Sequence, residues 1–408
     1  MHRLRRLSDS WQWVLILFTT AAFVETVFWG QMQAFTPLYL PRLGVPADEV
    51  VRWTGLIAAA TSAVGIPFLP FWGALADRYA RQPIIIRSFV VYLLAGLLTL
   101  LARDIWAFAL GRALMSLSLG NSGLMLTTLS ERSPPGRVGL AFAIMNSASP
   151  VGVFLGPLLG GPVVDRFGFQ ALLGLNTAVM LVIILGLTLG YRDTFRGTAR
   201  GSLLRMALDS VRLIWQSPRL RALFAALFLL FAGWIMAMTY VPVVVGRLYE
   251  GDDPGTAVGL VLGAGGLLAI VLGPWLGALG DRYGHWRVLL AGAAVAVALW
   301  PLPVLAPNLV VFGALWAVVN GLTSGLFAMS FSLVSQSATP AVRGRVMTFA
   351  FLPTNVGAFI GPAIGAAITR GTVYAVFPAG ALLTLLGIAV LLAARRMPLG
   401  AAGEIPAA

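Results

Sequence analysis

The sequence predicts an all-α polytopic membrane protein with twelve transmembrane helices in two pseudo-symmetric six-helix bundles. Three observations carry that prediction. Hydrophobic residues make up 59% of the 408-residue chain and charged residues only 11%, against roughly 25% charged in a soluble domain. About twelve apolar runs follow one another, each long enough with its flanks to cross a hydrocarbon core of about 30 Å, which takes about 20 helical residues. A buried helix would account for one such run but not for the set. Finally, the stretch GALADRY at residues 73–79 returns as GALGDRY at 277–283, so the chain repeats itself at half its length.

In chain order the spans fall at 12–40, 51–76, 83–102, 105–130, 138–164, 170–190, 219–246, 256–280, 287–305, 308–334, 346–369 and 373–394. The first follows an Arg-rich leader (Arg3, Arg5, Arg6), has Glu25 in its middle and lacks a small-residue cleavage site. It reads as a retained helix, not a removable signal. The repeat aligns the first span with the seventh through Pro37 and Pro242, and the second with the eighth through the two GALxDRY stretches. It aligns the fifth with the eleventh through GVFLGPLLGG (152–161) and GAFIGPAIGA (357–366), always at an offset of 204 or 205. The chain thus divides into an N-terminal bundle (1–190), a basic linker without a long apolar run (191–218), a C-terminal bundle (219–394) and a tail (395–408). Homologous halves with a site near the midplane between them are the construction of many secondary transporters.

The charge pattern sets the topology. All 28 basic residues are arginines; 21 fall on the side of the N-terminus, six on the other side (Arg42, Arg52, Arg103, Arg166, Arg247, Arg370), and Arg112 lies within a span. Positive residues concentrate on the cytoplasmic side of membrane proteins, which places both termini in the cytoplasm and the chain in the plasma (inner) membrane. The net charge of +13 is therefore topology, not nucleic-acid binding.

The repeated stretches, GALADRYARQPIIIR and GALGDRYGHWRVLL, resemble the signature of the major facilitator superfamily in the loops after its second and eighth helices. The resemblance covers the whole chain. It implies the major facilitator fold, and it implies that Gly73, Asp77, Arg78 and Arg81, with Gly277, Asp281 and Arg282 in the second copy, latch the cytoplasmic ends of the halves in the outward-facing state. A carboxylate where an apolar helix meets water can accept bonds from a neighbouring helix N-terminus or an arginine; loop charges that merely set topology are the alternative. Two positions depart from the family pattern. Ala80 stands where glycine is usual, which predicts a less tight turn in the first half, and His285 replaces a usual basic residue.

Subtracting one half from the other isolates Glu25 and Arg112, which align with Leu230 and Ala317 at the same offset. An ionised side chain deep in hydrocarbon costs at least about 2.5–3.5 kcal/mol unless paired or hydrated. At 1.5 Å of rise per residue Glu25 lies about 18 Å, and Arg112 about 21 Å, from the terminal-side edge of a core of about 30 Å. The two levels agree, so the pair can face one cavity. A carboxylic acid holds its proton more tightly when buried and less tightly beside a guanidinium, and arginine does not give up its own proton. Glu25 is therefore the candidate proton carrier and Arg112 the charge that tunes it; a static ion pair orienting the first and fourth spans is the alternative.

GVFLGPLLGG fits Gx3GPx2GG through Gly152, Gly156, Pro157, Gly160 and Gly161. It resembles the fifth-helix antiporter motif of the superfamily's twelve-helix drug:proton antiporters. Arg112 falls where those exporters carry a fourth-helix arginine, and a first-helix acid occurs in a multidrug branch of the group. Small residues at these spacings also let any two helices approach closely, so generic packing competes with the export reading. The cavity candidates are the amides Gln31, Gln33, Asn121, Asn146, Asn320 and Asn355 together with Phe28, Trp29, Trp234, Met238 and Tyr240. Each aromatic or Met taken singly is more readily packing, but together they suit a lipophilic organic solute of variable shape. A cationic solute could compete with the proton at Glu25. A lipid or amphiphile flippase of the same fold is one alternative, and a passive uniporter with a structural Glu25 is another.

Other chemistries find no support. Cysteine is absent and the two histidines, His2 and His285, are far apart, which leaves no expected metal site. No HExxH, GxSxG or lysine-bearing phosphate loop is present, so neither an enzyme, a cofactor nor ATP drive is expected. The expected partners are a small lipophilic solute, protons and the bilayer, with the chain acting as a monomer.

Overall fold

A computed structural model of the chain describes residues 10–68, 80–118, 121–193, 214–338 and 346–397, residue 348 excepted. The first half comprises α1 (Trp11–Tyr39), α2 (Val50–Ala63), α3 (Arg81–Leu101), α4 (Ile105–Leu114), α5 (Asn121–Arg132), α6 (Val138–Phe167) and α7 (Phe169–Gly190). The second comprises α8 (Pro218–Leu248), α9 (Gly255–Tyr283), α10 (His285–Leu299), α11 (Leu309–Gln336), α12 (Leu352–Ile368) and α13 (Val376–Arg396). No strand occurs among the described residues. Among the described residues, ten helical stretches are long and apolar enough to cross a membrane.

Local sequence explains several boundaries. Asp104 caps α4 by accepting from the backbone N–H groups of Trp106 and Ala107 at 2.9 Å each, and Asn308 caps α11 by accepting from Val311 N–H at 3.0 Å. Short polar side chains there satisfy donors that have no partner within the helix. Gly284 turns α9 into α10 at φ 93°, a left-handed value that a β-carbon disfavours. Its first-half counterpart, Ala80, takes φ −55°, and α3 starts from extended backbone instead.

Three spans differ from the sequence expectation. The fourth, expected to run unbroken over 105–130, ends as α4 at Leu114, tightens into a 3₁₀ turn at Met115–Ser118 and resumes as α5 at Asn121. The sequence SLSLGNSG explains the division, since serine, asparagine and glycine bond or relax into non-helical backbone. The second, expected to reach residue 76, leaves regular helix after Ala63 and forms a 3₁₀ turn at Ile66–Phe68. The eleventh becomes regular only at Leu352 and is 17 residues long.

The halves join through two symmetry-related crossings, α6 on α9 and α2 on α12. A β-carbon on Gly161 would lie 2.5 Å from the Gly255 carbonyl oxygen, and one on Gly259 2.4 Å from the Pro157 oxygen, so these backbones touch. At the second crossing Gly55 of α2 makes room for the Tyr240 hydroxyl and for Ala366 of α12. Further along the stripe of α9 that carries Gly255, Gly259 and Gly266, Gly273 and Gly277 have no atom within 4 Å of where a side chain would start. Opposite them Ala143, Ser147 and Pro150 of α6 are exposed. Among the described residues, α6 and α9 therefore meet toward one end and part toward the end where α1 begins and α13 ends.

Candidate functional site

Between the halves lies a cavity of about 200 Å³. The first half contributes Glu25, Trp29 and Gln33 from α1, Thr61 and Ser62 from α2, Tyr92 from α3, and Met115, Ser116 and Ser118 from the 3₁₀ turn. The second contributes Phe231 and Ile235 from α8 and Thr354, Asn355 and Ala358 from α12. The wall is thus polar and ionisable on one side, aromatic and weakly polar on the other.

Glu25 and Arg112 reach this region but do not bind each other. Asn121 Nδ2 donates to Glu25 Oε2 at 2.7 Å, while the Asn121 Oδ1 accepts from Ser122 N–H at 2.9 Å. The second bond fixes which end of the amide faces the acid. Arg112 is 1% exposed; it donates to Gln33 Oε1 at 3.0 Å and approaches Met115 Sδ at 3.5 Å, and its Nε has no partner. Tyr92 lies within electrostatic reach of both charges. The division of the fourth span places Arg112 above the 3₁₀ turn and Asn121 below it.

Of the other cavity candidates, Trp29, Gln33 and Asn355 line the space. The remaining ones sit elsewhere. Phe28 packs on Tyr92 with ring centroids 5.7 Å apart, inside the first half. Gln31 donates to the Gly156 carbonyl at 2.9 Å and accepts from Asn176 at 2.7 Å, tying α1 to α6 and α7. Trp234 Nε1 donates to Asn320 Oδ1 at 2.8 Å within the second half. Met238 is buried, and Tyr240 donates to the Pro362 carbonyl at 3.3 Å at the α2–α12 crossing. Asn146 is exposed on the splayed part of α6. Position along a helix sets a level but not a rotation: Phe28, Gln31, Trp234 and Asn320 turn into their own bundles, whereas Tyr240 and Asn146 lie toward opposite ends of the molecule. Tyr92, Ser116, Ser118 and Phe231 were missed by sequence reasoning; the Ser-rich stretch beside Asn121 was the available signal.

The chain matches the profile of the Major Facilitator Superfamily over residues 17–313 and again over 254–407. It belongs to the major facilitator superfamily. Among curated relatives, the multidrug resistance protein MdtG of Enterobacter lignolyticus is 28% identical over 372 residues, covering 88% of this chain and 84% of that protein. MdtG of Citrobacter koseri is 27% identical over 376 residues, covering 88% and 89%. Among solved structures, a bacterial homologue of the human lysosomal transporter Spinster, inward-facing and unoccupied, superposes with a TM-score of 0.78 at 14% identity, covering 97% of this chain and 99% of that one. The protein is a multi-pass membrane protein with the major facilitator fold.

The superfamily signature is partly visible. Gly73, Asp77 and Arg78 lie outside the described residues. Arg81 forms a two-pronged ion pair with Glu131 of α5, at 2.7 and 2.8 Å, and Asp193 accepts from the backbone N–H of Arg81 and of Gln82 at the start of α3. Arg132 lies 5.2 Å over the Tyr191 ring; burial pushes the Tyr191 phenol up to about 12, so it acts through its neutral face. In the second copy Asp281 meets His285 at 3.4 Å, and His285 Nδ1 lies 3.4 Å from Gln336 Nε2. Arg282 stacks at 5.2 Å over Tyr283. Arg81 and Glu131 align with His285 and Gln336, so a two-pronged ion pair in one half of this major facilitator protein is replaced by a longer contact of 3.4 Å to a neutral amide in the other.

The glycines of the fifth span pack helices. A β-carbon on Gly152 would lie 2.1 Å from Thr26 Oγ1, one on Gly156 2.8 Å from the Val27 carbonyl and one on Gly160 2.7 Å from Phe35, all on α1. Gly161 serves the α9 crossing, and Pro157 sits between the two contacts. Gly357 and Gly361 play the same part for α12 on α8.

Proposed function

We infer that the protein is a proton-coupled exporter of lipophilic organic compounds, working by alternating access, with Glu25 as proton carrier and Arg112 as the charge that tunes it. One observation carries this reading: Glu25 stands on the cavity wall with a neutral amide, Asn121, as its hydrogen-bond partner. A carboxylate locked to a guanidinium must break an ion pair to take up a proton, whereas one held by an amide keeps an acceptor oxygen for that amide in either charge state. Arg112 is bonded to Gln33 instead, and Tyr92 lies within electrostatic reach of both groups. The relatives' name as multidrug resistance proteins supports organic compounds as the solute. A cationic compound would compete with the proton for the same charge.

The arginine imbalance supports a cytoplasmic location for both termini, so the parted side of the halves faces the cytoplasm and loads solute from there. The second GALxDRY copy, at the end of α9, borders that side, where closure would latch the outward-facing state. The deciding experiment uses reconstituted vesicles with an imposed pH gradient. Wild type should accumulate a lipophilic fluorescent cation. Glu25→Gln should lose gradient-driven accumulation and retain solute exchange without a gradient. Accumulation by wild type that ignores the gradient would overturn the coupling.

A further inference from the structure

Phe231, on the cavity wall, is the first of a row of rings. Its centroid lies 5.0 Å from Phe327 of α11; Phe327 lies 4.9 Å from Phe331, and Phe331 5.0 Å from Phe351. Interplanar angles of 39°, 84° and 43° alternate tilted and edge-on contacts, the arrangement aromatic quadrupoles favour. Since α11 descends toward the parted side and α12 rises from it, the row runs from the cavity to the opening. Phe351 ends it, 57% exposed.

That exposure faces the passage. Phe351 has helical backbone at the cap of α12. At 100° per residue it falls on the same arc of about 100° as Thr354, Asn355 and Ala358, and those three line the cavity. Phe231, Phe327 and Phe331 are partly exposed, so each offers an edge or face beyond its neighbour. The row belongs wholly to the second half, whereas both buried charges of the site belong to the first.

We propose that Phe351, Phe331, Phe327 and Phe231 form a loading subsite for planar aromatic solutes, along which such a molecule stacks from the opening to the cavity before it meets Glu25. This rests on the exporter reading and adds a division of labour. The second half selects flat aromatic surface, and the first half supplies the charge and the proton step. A stacked ring exchanges one aromatic contact for the next at each step of about 5 Å, so movement along the row needs no large desolvation at any point. Aliphatic solutes of equal charge gain little from the row and enter by the cavity alone.

The test measures equilibrium binding to purified protein in detergent, without a gradient, for two monovalent lipophilic cations: ethidium, which is planar and aromatic, and tetrabutylammonium, which is aliphatic. Phe351→Ala and Phe327→Leu should each weaken ethidium binding about two- to tenfold and leave tetrabutylammonium within twofold of wild type. Phe351→Tyr, which keeps a ring, should bind ethidium like wild type, and it carries the test if the alanine variant fails to fold. Equal weakening of both cations would make the row simple packing and overturn the subsite, as would unchanged ethidium binding in both variants or loss of it in Phe351→Tyr. If wild type binds neither cation, the exporter reading fails together with the subsite.

Discussion

A buried guanidinium whose one oxygen partner among the described residues is an amide sets the strictest demand at the residue scale. Arg112 has Gln33 Oε1 as acceptor and an unpartnered Nε, so its desolvation is offset by one charge-assisted bond and a thioether contact. Gln33→Leu removes that acceptor, and leaving a buried charged donor unmet costs about 1–3 kcal/mol or more. A lower melting temperature in detergent is the expected result, and Gln33→Glu, which supplies a counter-charge at similar length, should recover it while slowing exchange by locking Arg112. A Gln33→Leu protein that melts like wild type would mean that the guanidinium is satisfied elsewhere. Glu25 and Arg112 were legible in the sequence because ionised residues are rare in apolar spans and these two have no counterpart in the other half. Their partners were not, because helical rise gives a level and says nothing of rotation. Asn121 and Gln33 appeared there as solute contacts, whereas both have their polar ends turned to the two charges.

At the scale of elements, the glycine pattern of the fifth span and the divided fourth span teach opposite lessons. Gx3GPx2GG was readable because close approach needs small residues at helical spacing, and those glycines do meet α1 and α9. The division at Met115–Ser118 was hidden inside a stretch hydrophobic enough to pass as one span, although its serines, glycines and asparagine are poor helix formers. The packing makes a graded prediction. In Gly152→Ala the new methyl meets a side-chain oxygen, Thr26 Oγ1, at 2.1 Å, and the next atoms at 3.0 Å. Adding Thr26→Ala should therefore restore much of the lost thermal stability. In Gly259→Ala the methyl meets the Pro157 carbonyl oxygen at 2.4 Å, a backbone atom that no truncation removes. The first variant should be rescued and the second should not; equal behaviour in melting curves would show that the helices slide apart freely at this crossing.

At the scale of the whole molecule, the pseudo-symmetry is broken at the ends that must open and close. On the joined side, Asp165 at the end of α6 accepts from the backbone N–H of Gly255 at 2.8 Å and of Thr256 at 2.7 Å, and from the Thr256 hydroxyl. A carboxylate of the first half thus caps the N-terminus of a helix in the second, where the helix dipole favours negative charge. Its counterpart at an offset of 205 is Arg370, a cation that cannot cap α2, and there the Tyr240 hydroxyl, bonded to the Pro362 carbonyl, fills the space over Gly55. Opening that side requires the Asp165 cap to break, so the cap biases the molecule toward the state with its parted side at the termini. Partly buried charge at a helix end is worth up to about 2 kcal/mol, and each 1.4 kcal/mol is a tenfold change in an equilibrium. Asp165→Ala should shift the population toward opening on the opposite side by about ten- to thirtyfold, with Asp165→Asn between it and wild type. Because the chain has no cysteine, a single cysteine at the cavity residue Thr61 reports this directly. A membrane-impermeant thiol reagent applied from the side away from the termini should label it faster in the order wild type, Asp165→Asn, Asp165→Ala, and equal rates in all three would mean that packing at the two crossings, not the cap, holds that side shut.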